Sequence, residues 1–546
     1  MMSSSSQLDY LGGSAAAVLD VVHQRRRAEG KRWRFEDSKD FVDMPLRASQ
    51  GDGHRRLAQA TGEADVDAVL RECFGSPGSD LEVCDPDDWS ASVPPSLSGS
   101  TERGREFTAH VHGCWPALCK RGAGQVDPRR HTLLRTPHKM FVPGSRFREQ
   151  YYWDSYFILQ GLLVSGLERS AAQLVENLLS CVERFGHVPN GTRGYYVGRT
   201  QPPLLSEMVV DLWRGCSGRG SLPEHELDGI LTRALPLLVA EHGFLTAGAR
   251  AVTVTGGDES HEMVRYFAGT ACPRPESYKE DVACAASRRE GDGEPEEVYR
   301  EIATMAESGW DFSSRWLRDP SRLSSSRITR TVPVDLNTIV ARMEANIARI
   351  AQTAGRSDLS ESFLDLSRRR FRAIDAVMWD AGTGQWRDLV LDEEGAGYTH
   401  GGVAYASNWL PLWRDQGPEG KDFEAAVEAL EVSGLVLEGG LSTSLKRTGH
   451  QWDYPNAWAP LQLLVHRGLV CSGGRRGRDL AEVIARNFVR NVHDTYLATG
   501  QLHEKYDAAR PGKRGGGGEY SPQTGFGWTN GVVLKLLQEY SGALIP

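Results

Sequence analysis

Long apolar runs are missing from this chain of 546 residues. No stretch approaches the roughly 18 apolar residues that cross a bilayer, so no membrane-spanning segment is expected. The beginning, MMSSSSQLDYLGGSAAAVLDVVHQRRR, has a short apolar patch broken by Asp20, with its basic cluster after the patch rather than before it. That order is not a secretory signal, which leaves a cytoplasmic protein as the default expectation. Excess positive charge is absent too: 63 Lys and Arg face 72 Asp and Glu, a net charge of −9. No basic footprint for nucleic acid or an anionic membrane follows, and a neutral or small polar partner fits better. The nine cysteines are odd in number and scattered, without the close repeated spacing of a zinc site or disulfide framework. Mostly free thiols are expected.

Alternating strand patterns are scarce and a fixed-period repeat is absent, whereas helical periodicity is plain. Leu336, Ile339, Val340, Met343, Ile347 and Ile350 share one face, with Asp335 in N-cap position, Pro333 before it and Gly355 as a stop. Residues 359–378 follow as a second helix, and similar faces occur in 171–186, 224–242, 421–433 and 478–496. Segments 50–65, 91–105 and 285–297 are charged or rich in Ser and Pro and read as surface insertions. Residues 1–30 are expected to form a partly disordered tail, with 31–546 as one domain. Helices alternating with elaborate loops suggest a helical toroid or solenoid whose loops gather at one end.

Six of those loops are dense in aromatics, carboxylates and arginines beside Gly and Pro: VPGSRFREQYYWDSYF (142–157), HVPNGTRGYYVGRTQPP (187–203), PRPESYKED (273–281), AESGWDFSSRW (306–316), GHQWDYPNAWAPLQ (449–462), and LHEKYD with RGGGGEYSPQTGFGWTNG (502–531). Together they describe a carbohydrate site. Aromatic faces cover the C–H faces of a sugar ring, and Asp, Asn and Arg make the directed hydrogen bonds its hydroxyls require. The sequon Asn190-Gly191-Thr192 falls inside one of these segments, where a glycan would obstruct the site.

The segments resemble the trehalases, glycoside hydrolases that split α,α-trehalose into two glucoses. The resemblance runs from DSKDFVDMPL (37–46) nearly to the C-terminus, with PGSRFREQYYWDSY and QWDYPNAWAP as the two family signatures. The family pattern usually has glycine where this chain has Ser145, and often glycine where it has Ala457. What the resemblance implies is an all-α (α/α)6 barrel with long catalytic loops at one end, acting as an inverting enzyme without metal or organic cofactor. It places the general acid on Asp311 and the general base on Glu504. It assigns substrate contacts to Arg146, Trp153, Asp154, Asn190, Arg199, Gln201, Arg274, Glu276, Gly309 and Glu519. Trehalose and water are the expected partners, and a monomer the expected state.

Blander readings stand beside these. Asp311 could be an N-cap before Ser313 and Ser314, Glu504 an exposed partner of Lys505, Trp153 a core residue, and Arg146 or Arg274 mere partners of neighbouring carboxylates. Three arginines converging from distant segments favour binding, because their repulsion must be offset. They also raise a conflict, since they should lower the pKa of Asp311 while a general acid must keep its proton. A related glucosidase acting on another α-glucoside, and a sugar-binding protein without activity, are the alternative functions. The four glycines 515–518 read as a strap lying close over a bound disaccharide, with Glu519 on a hydroxyl and Phe526 and Trp528 packing the strap.

Overall fold

A computed structural model describes residues 15–23, 34–47, 50–97, 101–124, 126–218, 222–393, 395, 397–415, 423–471, 474–518 and 523–545. Glu519, among the expected substrate contacts, lies outside the described residues. Among the described residues no helix is long and apolar enough to cross a membrane.

Two kinds of helix build the molecule. The first kind is buried nearly all round. In Tyr152–Val164 every residue but Leu163 is buried, and in Gly527–Glu539 only Lys535, Gln538 and Glu539 are not. Such helices need neighbours on every side. Tyr152–Val164, Leu205–Cys216, Val334–Thr353, the 3-10 segment Ala406–Leu412, Ala459–Cys471 and Gly527–Glu539 each pack against the next, and the last packs against the first. This closes an inner ring. Closure depends on glycine: a Cβ on Gly161 would lie 2.5 Å from the Gly531 Cα, and one on Gly531 would run into the Phe157 carbonyl.

The second kind is amphipathic and forms the outer ring: Glu102–His112, Glu168–Phe185, Glu224–Leu245, Ser357–Ala373, Phe423–Val432 and Arg475–Thr499. Glu168–Phe185, for example, turns Leu174, Leu178 and Val182 inward and ends at Gly186 with φ 77°. The two rings make an (α/α)6 barrel. Because inner and outer helices alternate in direction along the chain, every outer-to-inner connection emerges at one end of the barrel. All six aromatic and charged segments belong to those connections. The inner-to-outer connections at the other end, such as residues 165–167 and 354–356, are short.

Several local expectations change. Of the face 421–433 the described residues form the helix Phe423–Val432, and 359–378 ends as an α-helix at Ala373. Asp335 is not the N-cap of Val334–Thr353. It lies in the first turn and pairs with Arg315 at 2.7 Å, while the Val334 N–H donates to Asp388 at 2.9 Å. Residues 50–65, expected as an insertion, contain the helix Gln50–Gln59 and the start of Glu63–Cys73, which buries Val66, Val69 and Leu70. The stretch 91–105 runs into the outer helix Glu102–His112, and 285–297 into Pro295–Glu307 behind a capping box of Glu294 and Glu297. Short sheets also occur, the longest a hairpin of Ala251–Gly256 with Glu259–Val264. Within the stretch assigned to a tail, Ala15–Val22 is a helix with Val18, Leu19 and Val22 buried.

The N-terminal elements form a second core that includes Phe41, Val66, Leu70 and Phe74, and that takes in Tyr151, Tyr195, Tyr196 and Tyr278 from the loop end of the barrel. Beneath it lies a buried ion cluster. Lys39 reaches Asp43 at 2.7 Å and Glu149 at 2.9 Å, and Arg193 reaches Asp80 at 2.8 Å and Glu149 at 3.1 Å. Desolvating so many charges is costly unless all are paired, and this set is interlocked across four chain segments. The N-terminal segment is thereby fixed to the loops that carry the site.

Candidate active site

At the loop end a cavity opens among the inner helices. Its wall contains Arg146, Trp153, Asp154, Asn190, Arg199, Gln201, Arg274, Glu276, Gly309 and Asp311. Glu504 lies just behind that wall with a fully buried side chain, and the Trp528 indole N–H donates to its backbone carbonyl at 2.9 Å. Residues that were not singled out also line the cavity: Phe147, Tyr151, Tyr196, Ser277, Ala306, Gln451, Trp452 and Trp458. Most stand inside the same dense segments, so high aromatic content was the signal that could have found them.

The walls are aromatic. Trp452 stacks on Trp458 at 4.0 Å with planes 1° apart and on Trp310 at 5.3 Å, and it leans against Trp153 at 5.6 Å. Phe526 and Trp528 continue this surface, their rings 4.6 Å apart. Gly309, at φ 76°, admits Trp153 because a Cβ there would come within 2.9 Å of the indole. Gln201 fixes the start of the Tyr152–Val164 helix by accepting from the Trp153 N–H at 3.1 Å.

Polar groups are held by one another. Arg199 donates to Asn190 Oδ1 at 2.8 Å and to Glu276 at 2.5 Å. Arg274 is clamped by Asp281, with Nη2 to Oδ1 at 2.7 Å. Burial would raise Glu276, but Arg199 and Arg274 outweigh it and hold the carboxyl below the usual range. Asn190 is buried and engaged by Arg199, so a glycan at this sequon does not fit the fold.

Asp311 resolves the conflict seen in the sequence. Burial pushes its carboxyl up to about 6, against the opposing pull of Arg274, Arg199 and Arg146. It faces the cavity and is not the cap of the short helix behind it; Ser313 is, accepting from the Arg315 N–H. The loop after it is fastened by Asp453, which accepts from Ser313 Oγ at 3.1 Å, Ser314 N–H at 2.9 Å, Ser314 Oγ at 2.9 Å, Ser444 Oγ at 3.1 Å and Thr448 Oγ1 at 2.6 Å. Asp154 is also pushed well up, first by burial and then by the charges of Asp311 and Glu504. Glu504 is raised by burial, with Lys505 and Arg146 opposing. Glu504 therefore does pair with Lys505, at 3.1 Å, though inside the protein rather than at its surface. Among the described residues no group of three or more His, Cys, Asp or Glu could hold a metal ion.

A model of the trehalase family matches residues 33–541. The chain belongs to the trehalase family. Trehalases with which it aligns include a probable trehalase of Oryza sativa, 40% identical over 97% of this chain and 97% of that one. The trehalase of Homo sapiens is 36% identical over 93% of this chain and 87% of its own length. Among solved structures, the neutral trehalase of Saccharomyces cerevisiae superposes with a TM-score of 0.59 at 25% identity, covering 75% of this chain and 76% of that one. As in sequence, so in space: the two trehalase signatures meet, with Trp153 of the first against Trp452 of the second.

Proposed function

We propose that this protein hydrolyses α,α-trehalose to two glucose molecules, one released as the α anomer and one as the β anomer. The observation that carries the reading is the place of Asp311, a carboxyl in the wall of one cavity with Arg146, Arg199 and Arg274, where burial raises it to about 6 against their pull. A carboxylic acid so poised can protonate the glycosidic oxygen, and the opposite carboxylate then activates water. In this reading Asp311 is the acid and Glu504 the base, with about 6.5–9.5 Å between the two carboxyls at reaction. Arg146, Arg199, Arg274, Asn190, Glu276 and Asp154 take the hydroxyls, while Trp153 and Gly309 shape the wall; Gln201 sets the position of Trp153. Glu519 is the proposed contact from the glycine-rich strap.

Residues 31–546 act in this reading as one catalytic unit, supported by the core that the N-terminal elements share with the site loops. A monomer is the active form in this reading. Following the anomeric protons by NMR during the first minutes of hydrolysis tests the reading. Equal α- and β-glucose at the start is the expected result. Release of α-glucose alone would overturn inversion, and binding without turnover would favour a sugar-binding protein.

A further inference from the structure

Acid and base come from segments roughly 190 residues apart in the chain, and both must be aligned in the same instant. One buried side chain touches the supports of each. Lys505, 0% exposed, is ion-paired with Glu504 Oε1 at 3.1 Å and donates to Gln451 Oε1 at 2.6 Å and to the Gly517 carbonyl at 3.1 Å. Because the Gln451 oxygen is turned to the ammonium, its amide nitrogen faces the other way and donates to the backbone carbonyl of Asp311. The pairing of Asn456–Trp458 with Lys505–Asp507, Trp458 opposite Lys505, holds this arrangement in register.

We propose that Lys505 is a positioning residue that couples the glycine-rich strap to the alignment of both catalytic carboxylates. Resting on the assignment of Asp311 and Glu504 made above, the proposal adds a third group, buried and outside the cavity wall. An ammonium can hold two acceptors at once, here from the 449–458 loop and the strap, while its charge pairs with Glu504. Gly517 can approach because it is bare: at φ 79°, a Cβ would come within 2.4 Å of the Gly449 carbonyl. A strap lifted away from the site would release the Gly517 carbonyl and loosen Gln451 and Glu504 together.

The charge has a second effect. Glu504 faces Lys505 and Arg146 as cations, Asp154 as a second carboxyl from the Tyr152–Val164 helix, and Asp311 across Lys505. The neighbouring His503 lies beside Arg514. Lys505 is the largest influence opposing the burial of Glu504, so without it the base would ionise only at higher pH.

The test is the pH dependence of kcat/KM for trehalose in Lys505→Met and Gln451→Met, with Glu504→Gln as the reference. Lys505→Met is expected to lower kcat about 100-fold, as misalignment of reacting groups by about 1 Å does, with KM changed less than about threefold. Its acidic limb should move up by about one pH unit, the size of shift that loss of one close charge produces. Gln451→Met should lower kcat about tenfold and leave the acidic limb in place, since no charge is lost. An unmoved limb and near-normal kcat in Lys505→Met, with Glu504→Gln inactive, would overturn the coupling and spare the base assignment. If Glu504→Gln retains full activity, the base assignment and the coupling fall together. Should Lys505→Met not fold, a wild-type kcat in Gln451→Met would overturn the proposal and a lowered one would support it.

Discussion

Asp37 holds Arg146. The two are 109 residues apart, and the carboxylate takes two hydrogen bonds from the guanidinium, the one from Nη2 at 2.9 Å. Asp37 is also the N-cap of the short helix Ser38–Val42, accepting from the Lys39 N–H at 3.0 Å. Burial would raise its carboxyl, but Arg146 outweighs that and keeps it ionised. A bidentate clamp fixes the plane of the guanidinium as well as its place. The N-terminal segment thus sets the direction in which Arg146 enters the cavity.

Asp37→Asn is therefore expected to reduce kcat/KM for trehalose by about 10- to 100-fold, the loss of one charged hydrogen-bond pair of about 1.5–3 kcal/mol. Steady-state kinetics on the folded variant checks this. A kcat/KM equal to wild type would mean that Arg146 is oriented without Asp37.

Activity should follow a bell in pH. Asp311 must be protonated and Glu504 ionised, so kcat/KM should fall on the alkaline side near pH 6, where Asp311 loses its proton. Residual turnover by Asp311→Asn should lack that limb; unchanged activity would remove Asp311 from the acid role.

The same carboxyl costs stability when ionised. Its folded pKa is raised from 3.8 to about 6, so its contribution is full below about pH 4 and is lost as pH rises through 6. Asp311→Asn should match wild type in stability at pH 4 and exceed it by up to about 3 kcal/mol at pH 7. Urea titrations at the two pH values would refute this if the difference did not grow with pH.

Glycine is required at particular places in the strap. A Cβ on Gly517 or Gly518 would come within 2.4 Å or 2.5 Å of the 449–451 loop, whereas one on Gly516 meets nothing. Gly517→Ala should impair turnover at least tenfold, in line with small misplacements of catalytic groups, and Gly516→Ala should be nearly silent. Equal kinetics in the two variants would show that the close approach does not matter.

Asp453 should matter for rate and stability alike. Five hydrogen bonds converge on it from the Asp311 loop and from residues 444–448. Asp453→Ala leaves those donors buried and unpaired, at a cost of about 3 kcal/mol or more, and frees the Asp311 loop. Thermal melts and kcat together check it; a loss of stability with full kcat would confine Asp453 to the scaffold.

The amphipathic outer helices were legible as periodic faces, because one side of each meets solvent: 171–186, 224–242, 421–433 and 478–496 all belong to that ring. The inner ring was largely hidden. Tyr152–Val164 and Ala459–Cys471 are buried on nearly every side, so no polar stripe marks their period, and of this ring only Val334–Thr353 stood out. Glu102–His112 was lost among charges because its apolar face is only Phe107 and Val111 with small neighbours. The site segments were legible by composition, since a sugar-binding wall needs aromatics and charges at a density that packing alone does not.

Sequence by itself determined the chemistry available: which carboxylates, arginines and aromatics exist, and that glycines stand where backbone must pass close. Whether Asp311 keeps its proton was decided only in three dimensions, because desolvation and three arginines act in opposite directions and their balance depends on burial. The same holds for the partner of Arg146 and for the Gln451 acceptor of Lys505. Each joins residues far apart in the chain, and only the closing of the barrel brings the outer-to-inner loops to one end where such pairs can form.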